Sequence, residues 1–219
     1  MSAITFPNES AEYRAARNTL FEKEKEMRRM AEDVAALRRR LPRGGEVPED
    51  YVFQGDGPVT LSELFEPGKD TLAIYSYMFG PNAKSPCMMC TPLLDGLNGV
   101  SAHLNRRISF VVVAQSPVER LRAFKNGRGW DIRLISAAGN NYNRDYHGTN
   151  SRGQDDTILN VFQKIDGKVY HFWGSELSYD PMGDGMDHRS LDSVNPIFMM
   201  FDLTPEGRGD FYTSVTYPY

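Results

Sequence analysis

The segment Ile108–Ala114 constrains the fold more than any other part of the chain. It reads ISFVVVA, and nearly every residue in it is apolar. A strand that is apolar on both faces must be covered on both faces, which is typical of parallel sheets with helices on either side. This segment therefore predicts a layered α/β domain.

Strand and helix patterns alternate around this segment in the order β-α-β-α-β-β-α. Thr71–Phe79 is an apolar, aromatic-rich run that predicts a buried strand, and Pro92–Asn105 carries apolar residues at helical spacing. The other predicted elements are a helix over Pro117–Asn126, strands over Ile132–Ser136, Thr157–Lys164 and Lys168–Trp173, and a helix over Leu191–Asp202 interrupted near Pro196. Asp166-Gly167, between the last two strands, predicts a hairpin. This element order is that of a thioredoxin-type domain.

The first 43 residues have a different pattern, which predicts one long amphipathic helix with Asn8 as its N-cap. A stripe of apolar residues recurs every seven positions, formed by Tyr13, Leu20, Met27, Val34 and Leu41. Such a stripe needs a cover, so the helix either lies across its own domain or pairs with a second subunit in a homodimer. Gly44-Gly45 and Pro48 mark a linker, which predicts a helical segment 1–43 followed by a domain 44–219.

Charge and hydropathy exclude several classes of protein. The formal net charge of −4 argues against a globally basic nucleic-acid-binding protein. The longest stretch without Asp, Glu, Lys or Arg is the 13 residues Thr71–Ala83, which is too short to span a bilayer. The N-terminus lacks the basic and apolar regions of an export signal. We therefore expect a cytoplasmic protein without a nucleic-acid or membrane partner.

The two cysteines of the chain, Cys87 and Cys90, follow the predicted strand Thr71–Phe79 and open the next helix. In that position a Cys-x-x-Cys motif is typical of redox proteins. The N–H groups of a helix N-terminus stabilise a thiolate and lower its pKa. We expect Cys87 to attack a disulfide and Cys90 to resolve the mixed disulfide that results.

Several alternatives to this interpretation remain open. The helix begins either at Cys87, where Pro92 would kink its second turn, or at Pro92, with Thr91 as N-cap and both cysteines in the loop. The cysteines are either redox-active or simply buried and reduced. A zinc site would need histidines, and none of these lies at short ligand spacing from another, so we expect no metal and no cofactor. The peroxiredoxin pattern Pro-x-x-x-Thr-x-x-Cys is nearly matched by Pro81, Ser85 and Cys87, but one residue is missing before the cysteine.

Short motifs spread over most of the chain resemble a bacterial thioredoxin-like family described as a domain of unknown function (family eight hundred and ninety-nine). The motifs are Met78-Phe79-Gly80-Pro81, Pro86-Cys87-x-x-Cys90, Asp95-Gly96-x-Asn98-Gly99, His103-Leu104, Ser109–Val113, Leu121-x-Ala123, Gly129-Trp130, Asn143-x-Asp145, Phe201–Pro205 and Gly207-Arg208. The charged N-terminal helix is also similar to that family. The resemblance implies a thioredoxin-like fold with Cys87 and Cys90 in the dithiol position, and it names no substrate.

Two departures from well-studied thioredoxins concern the substrate side of the dithiol. Pro86 stands where those proteins have Trp, and no proline lies between Ile132 and Thr157 to supply their cis-proline. The loop residue Arg152 either offers a cation toward the cysteines instead or is simply an exposed loop arginine. We therefore take Pro86, Phe79 and Arg152 as the candidate substrate-binding residues.

Together these observations predict a thiol–disulfide oxidoreductase that uses a redox-active Cys87-Met-Met-Cys90 disulfide. Its partner would be a protein or small-molecule thiol or disulfide. The alternative is a non-catalytic thioredoxin-like module for binding or assembly through the N-terminal helix. A peroxiredoxin-like peroxidase is a third option.

Overall fold

The structure is a computed structural model, and it describes residues 4–181, 183–184, 186–187 and 189–216. The chain divides into two compact units, Met1–Pro42 and Arg43–Tyr219. Within the described residues, no helix is both long and apolar enough to cross a membrane.

The N-terminal unit is a single long helix, α1, which spans Ala11–Arg39. Ser10 is its N-cap, and the Ser10 hydroxyl accepts a hydrogen bond of 3.1 Å from the Tyr13 N–H. The prediction of Asn8 as N-cap is therefore wrong, because Asn8 has a positive φ of 59° and lies two residues before the cap. The predicted helix is confirmed, and its apolar stripe is exposed at Tyr13, Leu20 and Met27.

The second unit is built on one mixed sheet of seven strands in the order β2-β1-β5-β4-β3-β6-β7. The strands are β1 Val52–Gln54, β2 Pro58–Thr60, β3 Thr71–Ser76, β4 Ser109–Ala114, β5 Arg133–Ser136, β6 Ile158–Ile165 and β7 Lys168–Gly174. β3, β4 and β5 are parallel, whereas β6 pairs antiparallel with β3, and β7 antiparallel with β6. β1 pairs antiparallel with β5.

Helices connect the parallel strands. α2 (Cys90–Leu104) lies between β3 and β4, and α3 (Val118–Arg128) lies between β4 and β5. Two short helices follow, α4 (Tyr142–Asp145) and α5 (Pro196–Phe201). This order of parallel crossovers followed by an antiparallel hairpin confirms the predicted thioredoxin-like α/β fold.

The core lies on both faces of β4, as the ISFVVVA pattern predicts. All six residues of β4 are buried, and the five apolar ones alternate between two apolar clusters. Phe110 and Val112 pack in the cluster that includes α2, whereas Val111 and Val113 pack on the opposite face with Ile74. Fully burying such side chains contributes about 1.5–3 kcal/mol each.

Two elements near the ends of the sheet refine the predicted pattern. Asp166 and Gly167 both have positive φ, at 51° and 78°, which is the geometry of the predicted β6–β7 hairpin. The predicted helix over Leu191–Asp202 is divided into a 3-10 turn, Asp192–Val194, and α5. The division falls at Asn195, whose side chain caps α5 by accepting a hydrogen bond from Ile197 N–H at 3.3 Å.

Candidate active site

The loop between β3 and α2 is held by backbone and guanidinium hydrogen bonds. Cys87 N–H donates to the Met78 carbonyl at 3.0 Å. From α3, the Arg120 guanidinium donates to the carbonyls of Gly80 and Pro81 at 3.2 and 3.1 Å, and also to that of Ala83. Arg120 therefore fixes the path of the chain into the cysteine motif, a role that sequence reasoning missed.

The cysteine motif forms the start of α2, which begins at Cys90. The Cys87 sulfur accepts a hydrogen bond of 3.3 Å from the Cys90 N–H, so this side chain acts as a cap for the first turn. The Cys87 carbonyl accepts from the Thr91 N–H at 3.1 Å. The helix therefore begins at neither of the two predicted positions, Cys87 or Pro92.

Pro92 lies in the first turn of α2 and has no N–H to donate to the Met88 carbonyl. The hydroxyl of Thr213 donates to that carbonyl instead, at 2.6 Å. Thr213 is buried, and it belongs to the C-terminal segment, residues 189–216. The C-terminal segment thus completes the hydrogen bonding of the cysteine motif.

The two thiols differ in exposure and in acidity. Cys87 is partly exposed, whereas Cys90 is buried, with 3% of its surface exposed. A hydrogen bond from the Cys90 thiol lowers the pKa of Cys87 to about 6, and the backbone N–H groups of Cys90 and Met89 also lower it, against the opposing effect of burial. The same thiol–thiol contact, together with burial, raises the pKa of Cys90 well above its usual value. The pair can therefore hold one negative charge, on the outer sulfur.

Behind the inner cysteine lies a buried tyrosine from β3. Tyr75 is 1% exposed, and its hydroxyl lies close to Cys90. Burial, followed by the proximity of Cys90, raises the pKa of Tyr75 well above its usual value. The Tyr75 hydroxyl therefore stays protonated beside the inner sulfur.

A cavity of 430 Å³ adjoins this inner sulfur. One side is lined by Tyr75, Met89, Cys90, Leu93, Asp156 and Thr157, and the other mainly by residues of the C-terminal segment between Ser190 and Tyr212. The dithiol thus lies next to a pocket of the size that small molecules occupy.

A sequence profile of a bacterial family described as "Bacterial protein of unknown function (DUF899)" matches residues 4–218. The chain belongs to this family. The resemblance seen in the sequence is thereby confirmed. No curated protein sequence matches the DUF899 chain significantly.

Solved structures similar to this DUF899 protein include two peroxiredoxin-type proteins and an uncharacterised one. The peroxidoxin BcpB from Mycobacterium tuberculosis is 18% identical, with a TM-score of 0.43 over 72% of this chain and 96% of its own. Peroxiredoxin Q from Xanthomonas campestris is 13% identical, with a TM-score of 0.40 over 60% of this chain and 84% of its own. An uncharacterised conserved protein from Geobacillus kaustophilus is 11% identical, with a TM-score of 0.45 over 81% of this chain and 93% of its own.

The C-terminal wall of the cavity in the DUF899 protein is held by an ion-pair network. Arg208, whose side chain is 7% exposed, pairs with Asp192 at 2.6 Å and with Asp202 at 2.7 Å. Arg189 pairs with Asp202 at 2.6 Å. Hydrogen bonds from Arg208 and then Arg189 hold the pKa of Asp202 well below its usual range. The guanidinium of Arg208 is therefore committed to two carboxylates.

The candidate substrate-binding residues lie in three different environments. Pro86 is buried directly before Cys87. Phe79 is 3% exposed and packs in the core with the Arg120 guanidinium 4.4 Å from its ring centre. Arg152 is exposed in the loop before β6 and does not line the cavity. Their roles in substrate binding stay predictions. The part of the chain that the structure describes contains no cluster of three or more His, Cys, Asp or Glu side chains arranged to bind a metal ion.

Proposed function

We propose that this protein is a thiol–disulfide oxidoreductase with Cys87 as nucleophile and Cys90 as resolving cysteine. The observation that carries the proposal is the asymmetry of the two thiols. Cys87 is partly exposed and has a pKa of about 6, so it is mostly thiolate at neutral pH. Cys90 is buried, hydrogen-bonded to it, and protonated.

The reaction follows from this asymmetry in two exchange steps. The Cys87 thiolate attacks one sulfur of the substrate disulfide, the S–S bond breaks, and one substrate thiolate leaves. Cys90 then loses its proton and attacks the Cys87 sulfur, which forms the Cys87–Cys90 disulfide and releases the second thiolate. Two electrons pass from the protein to the substrate, and an external thiol returns them. Such a cycle suits a reducing compartment such as the cytoplasm.

The test is the pH dependence of alkylation by iodoacetamide in the reduced protein. We expect a rapid phase with a midpoint near pH 6, because the thiolate is the reactive species and its fraction rises as the pH rises through the pKa. Cys87→Ser should abolish this phase and all disulfide reduction. Cys90→Ser should retain the phase and stop at the mixed disulfide.

A midpoint near pH 8.5, the usual value for a free cysteine, would contradict the proposal. The same protein is also assayed for turnover with hydrogen peroxide in place of the disulfide substrate. Turnover of peroxide alone would favour a peroxidase instead.

A second candidate function is assembly through α1. It is favoured by the exposed heptad side chains Leu20 and Met27, which are 46% and 65% exposed. If this stripe pairs two copies of the chain, the double substitution Leu20→Glu, Val34→Glu should halve the mass measured by light scattering. Glu24→Gln, on the same helix, is the control and should leave the mass unchanged. An unchanged mass in the double variant would remove the assembly function.

A further inference from the structure

The cavity beside Cys90 limits the size of the molecule that reaches the dithiol through it. Its volume of 430 Å³ lies within the range of about 300–1,000 Å³ that is typical of small-molecule sites. The C-terminal segment forms one wall, and Arg208 anchors that wall through Asp192 and Asp202. A small disulfide fits this space, whereas a folded protein does not.

The charges around the cavity are mostly negative. Among the described residues that line it, four carry a carboxylate and one carries a guanidinium, which gives a net charge of −3. The carboxylates belong to Asp156, Asp187, Asp192 and Asp210, and the guanidinium to Arg208. Because Arg208 is paired with Asp192 and Asp202, it has little capacity left to bind an anionic ligand.

Asp156 is one of the four carboxylates that line the cavity. It is partly buried and adjoins Thr157, whose hydroxyl donates a hydrogen bond of 3.0 Å to the Ser76 carbonyl. One Asp156 oxygen accepts a hydrogen bond from the Thr157 N–H at 2.8 Å. No ion pair with Asp156 is present among the residues that the structure describes. A partly buried carboxylate without a cation attracts a positively charged ligand more strongly than an exposed one does.

Apolar side chains form the rest of the lining. Leu93 of α2 faces the cavity from one side, and Leu191, Phe198 and Phe211 of the C-terminal part face it from the other. Such a surface favours short methylene chains between charged ends. The cavity therefore combines the inner cysteine Cys90, an apolar lining and excess carboxylates.

We infer that the substrate of this site is a small cationic disulfide, of the class formed by two aminothiols. The inference rests on the proposed oxidoreductase function and names its substrate class. Asp187 and Asp192 are paired with Arg189 and Arg208. The ammonium groups would therefore lie at Asp156 and Asp210, and the methylene chains against the apolar lining. The S–S bond would lie at the Cys90 end of the cavity, because the Cys87 sulfur is 3.3 Å from the Cys90 N–H. Cys87 then breaks this bond, and two aminothiols are released after Cys90 closes the protein disulfide.

The experiment compares three disulfides of similar size on the reduced full-length protein. Cystamine is dicationic, 2-hydroxyethyl disulfide is neutral, and dithiodiglycolate is dianionic. Each kcat/KM is divided by the rate constant for the same disulfide with dithiothreitol, because the three differ in leaving-group pKa. Dithiothreitol also regenerates the protein. The variants are Asp156→Asn, Cys87→Ser and the control Asp131→Asn, which alters an exposed carboxylate outside the cavity.

We expect the normalised kcat/KM to favour cystamine over dithiodiglycolate by about tenfold or more at low salt. Asp156→Asn should reduce this preference by about threefold or more, and Asp131→Asn should leave it unchanged. Equal normalised values for the three disulfides, or a preference unaffected by Asp156→Asn, would overturn the cationic substrate while leaving the oxidoreductase intact. Turnover of all three that survives Cys87→Ser would overturn both.

Discussion

At the scale of single residues, the acidity of Cys87 depends mainly on its neighbour. The largest contribution to its lowered pKa is the hydrogen bond from the Cys90 thiol, ahead of the backbone N–H groups. The nucleophile is therefore activated by the residue that later resolves it, without a histidine or lysine in contact among the described residues.

Replacing Cys90 should consequently raise the pKa of Cys87. In Cys90→Ala, we expect the alkylation midpoint of Cys87 to move from about pH 6 toward about 8.5, because the largest stabilising contact is lost. In Cys90→Ser, a hydroxyl donor remains and the shift should be smaller. The measurement is the iodoacetamide rate between about pH 4 and 10. A midpoint that stays near 6 in Cys90→Ala would assign the effect to the helix N–H groups.

The site residues that were predictable from the sequence differ from the others in the sequence separation of their contacts. Cys87 and Cys90 were predictable because they lie only three positions apart, between a recognisable strand and a recognisable helix. Arg120 and Thr213 were not, because each acts on the motif through contacts 36 to 125 residues apart along the chain. Tyr75 reads in the sequence as one more aromatic residue of a buried strand.

At the scale of elements, the first turn of α2 and the C-terminal segment depend on each other. Thr213→Val removes the hydroxyl that binds the Met88 carbonyl and retains the shape of the side chain. We expect a loss of about 1 kcal/mol in the free energy of unfolding, measured with urea, because a partly buried hydrogen bond is lost. Thr213→Ser keeps the hydroxyl and should lose less. Equal stability of the Val variant and the wild type would show that water replaces the bond.

Long apolar elements were predicted well, and short ones were not. The strand β4, the helix α2 and the β6–β7 hairpin follow from local periodicity and an Asp-Gly turn. The hairpin of β1 and β2 was missed because strands of three residues show too little alternation to be recognised. Their place at the sheet edge is set by pairing with β5, which is distant in sequence.

At the scale of the whole second unit, Arg208 links the chain end to the wall of the cavity. Arg208→Met removes the buried guanidinium that pairs with Asp192 and Asp202, which then keep only the half-exposed Arg189 as a partner. We expect a loss of about 2–3 kcal/mol in the free energy of unfolding at pH 7. Arg106→Met, at an exposed arginine, is the control and should lose less than about 0.5 kcal/mol.

The pH dependence of the free energy of unfolding provides a second test of the ion pairs of Arg208. The pKa of Asp202 is lowered in the folded state, so its contribution is present above the unfolded value of about 3.9 and is lost as the pH falls further. The stability difference between wild type and Arg208→Met should therefore shrink below about pH 4. A difference that stays constant down to about pH 2 would contradict the ion-pair explanation.

The bond between Thr213 and Met88 also has a consequence for the order of events during synthesis. The two residues are 125 positions apart, and translation proceeds at about 5–20 residues per second. After the Cys87–Cys90 turn has been synthesised, on the order of ten seconds therefore pass before the ribosome adds Thr213, whose hydroxyl binds the Met88 carbonyl.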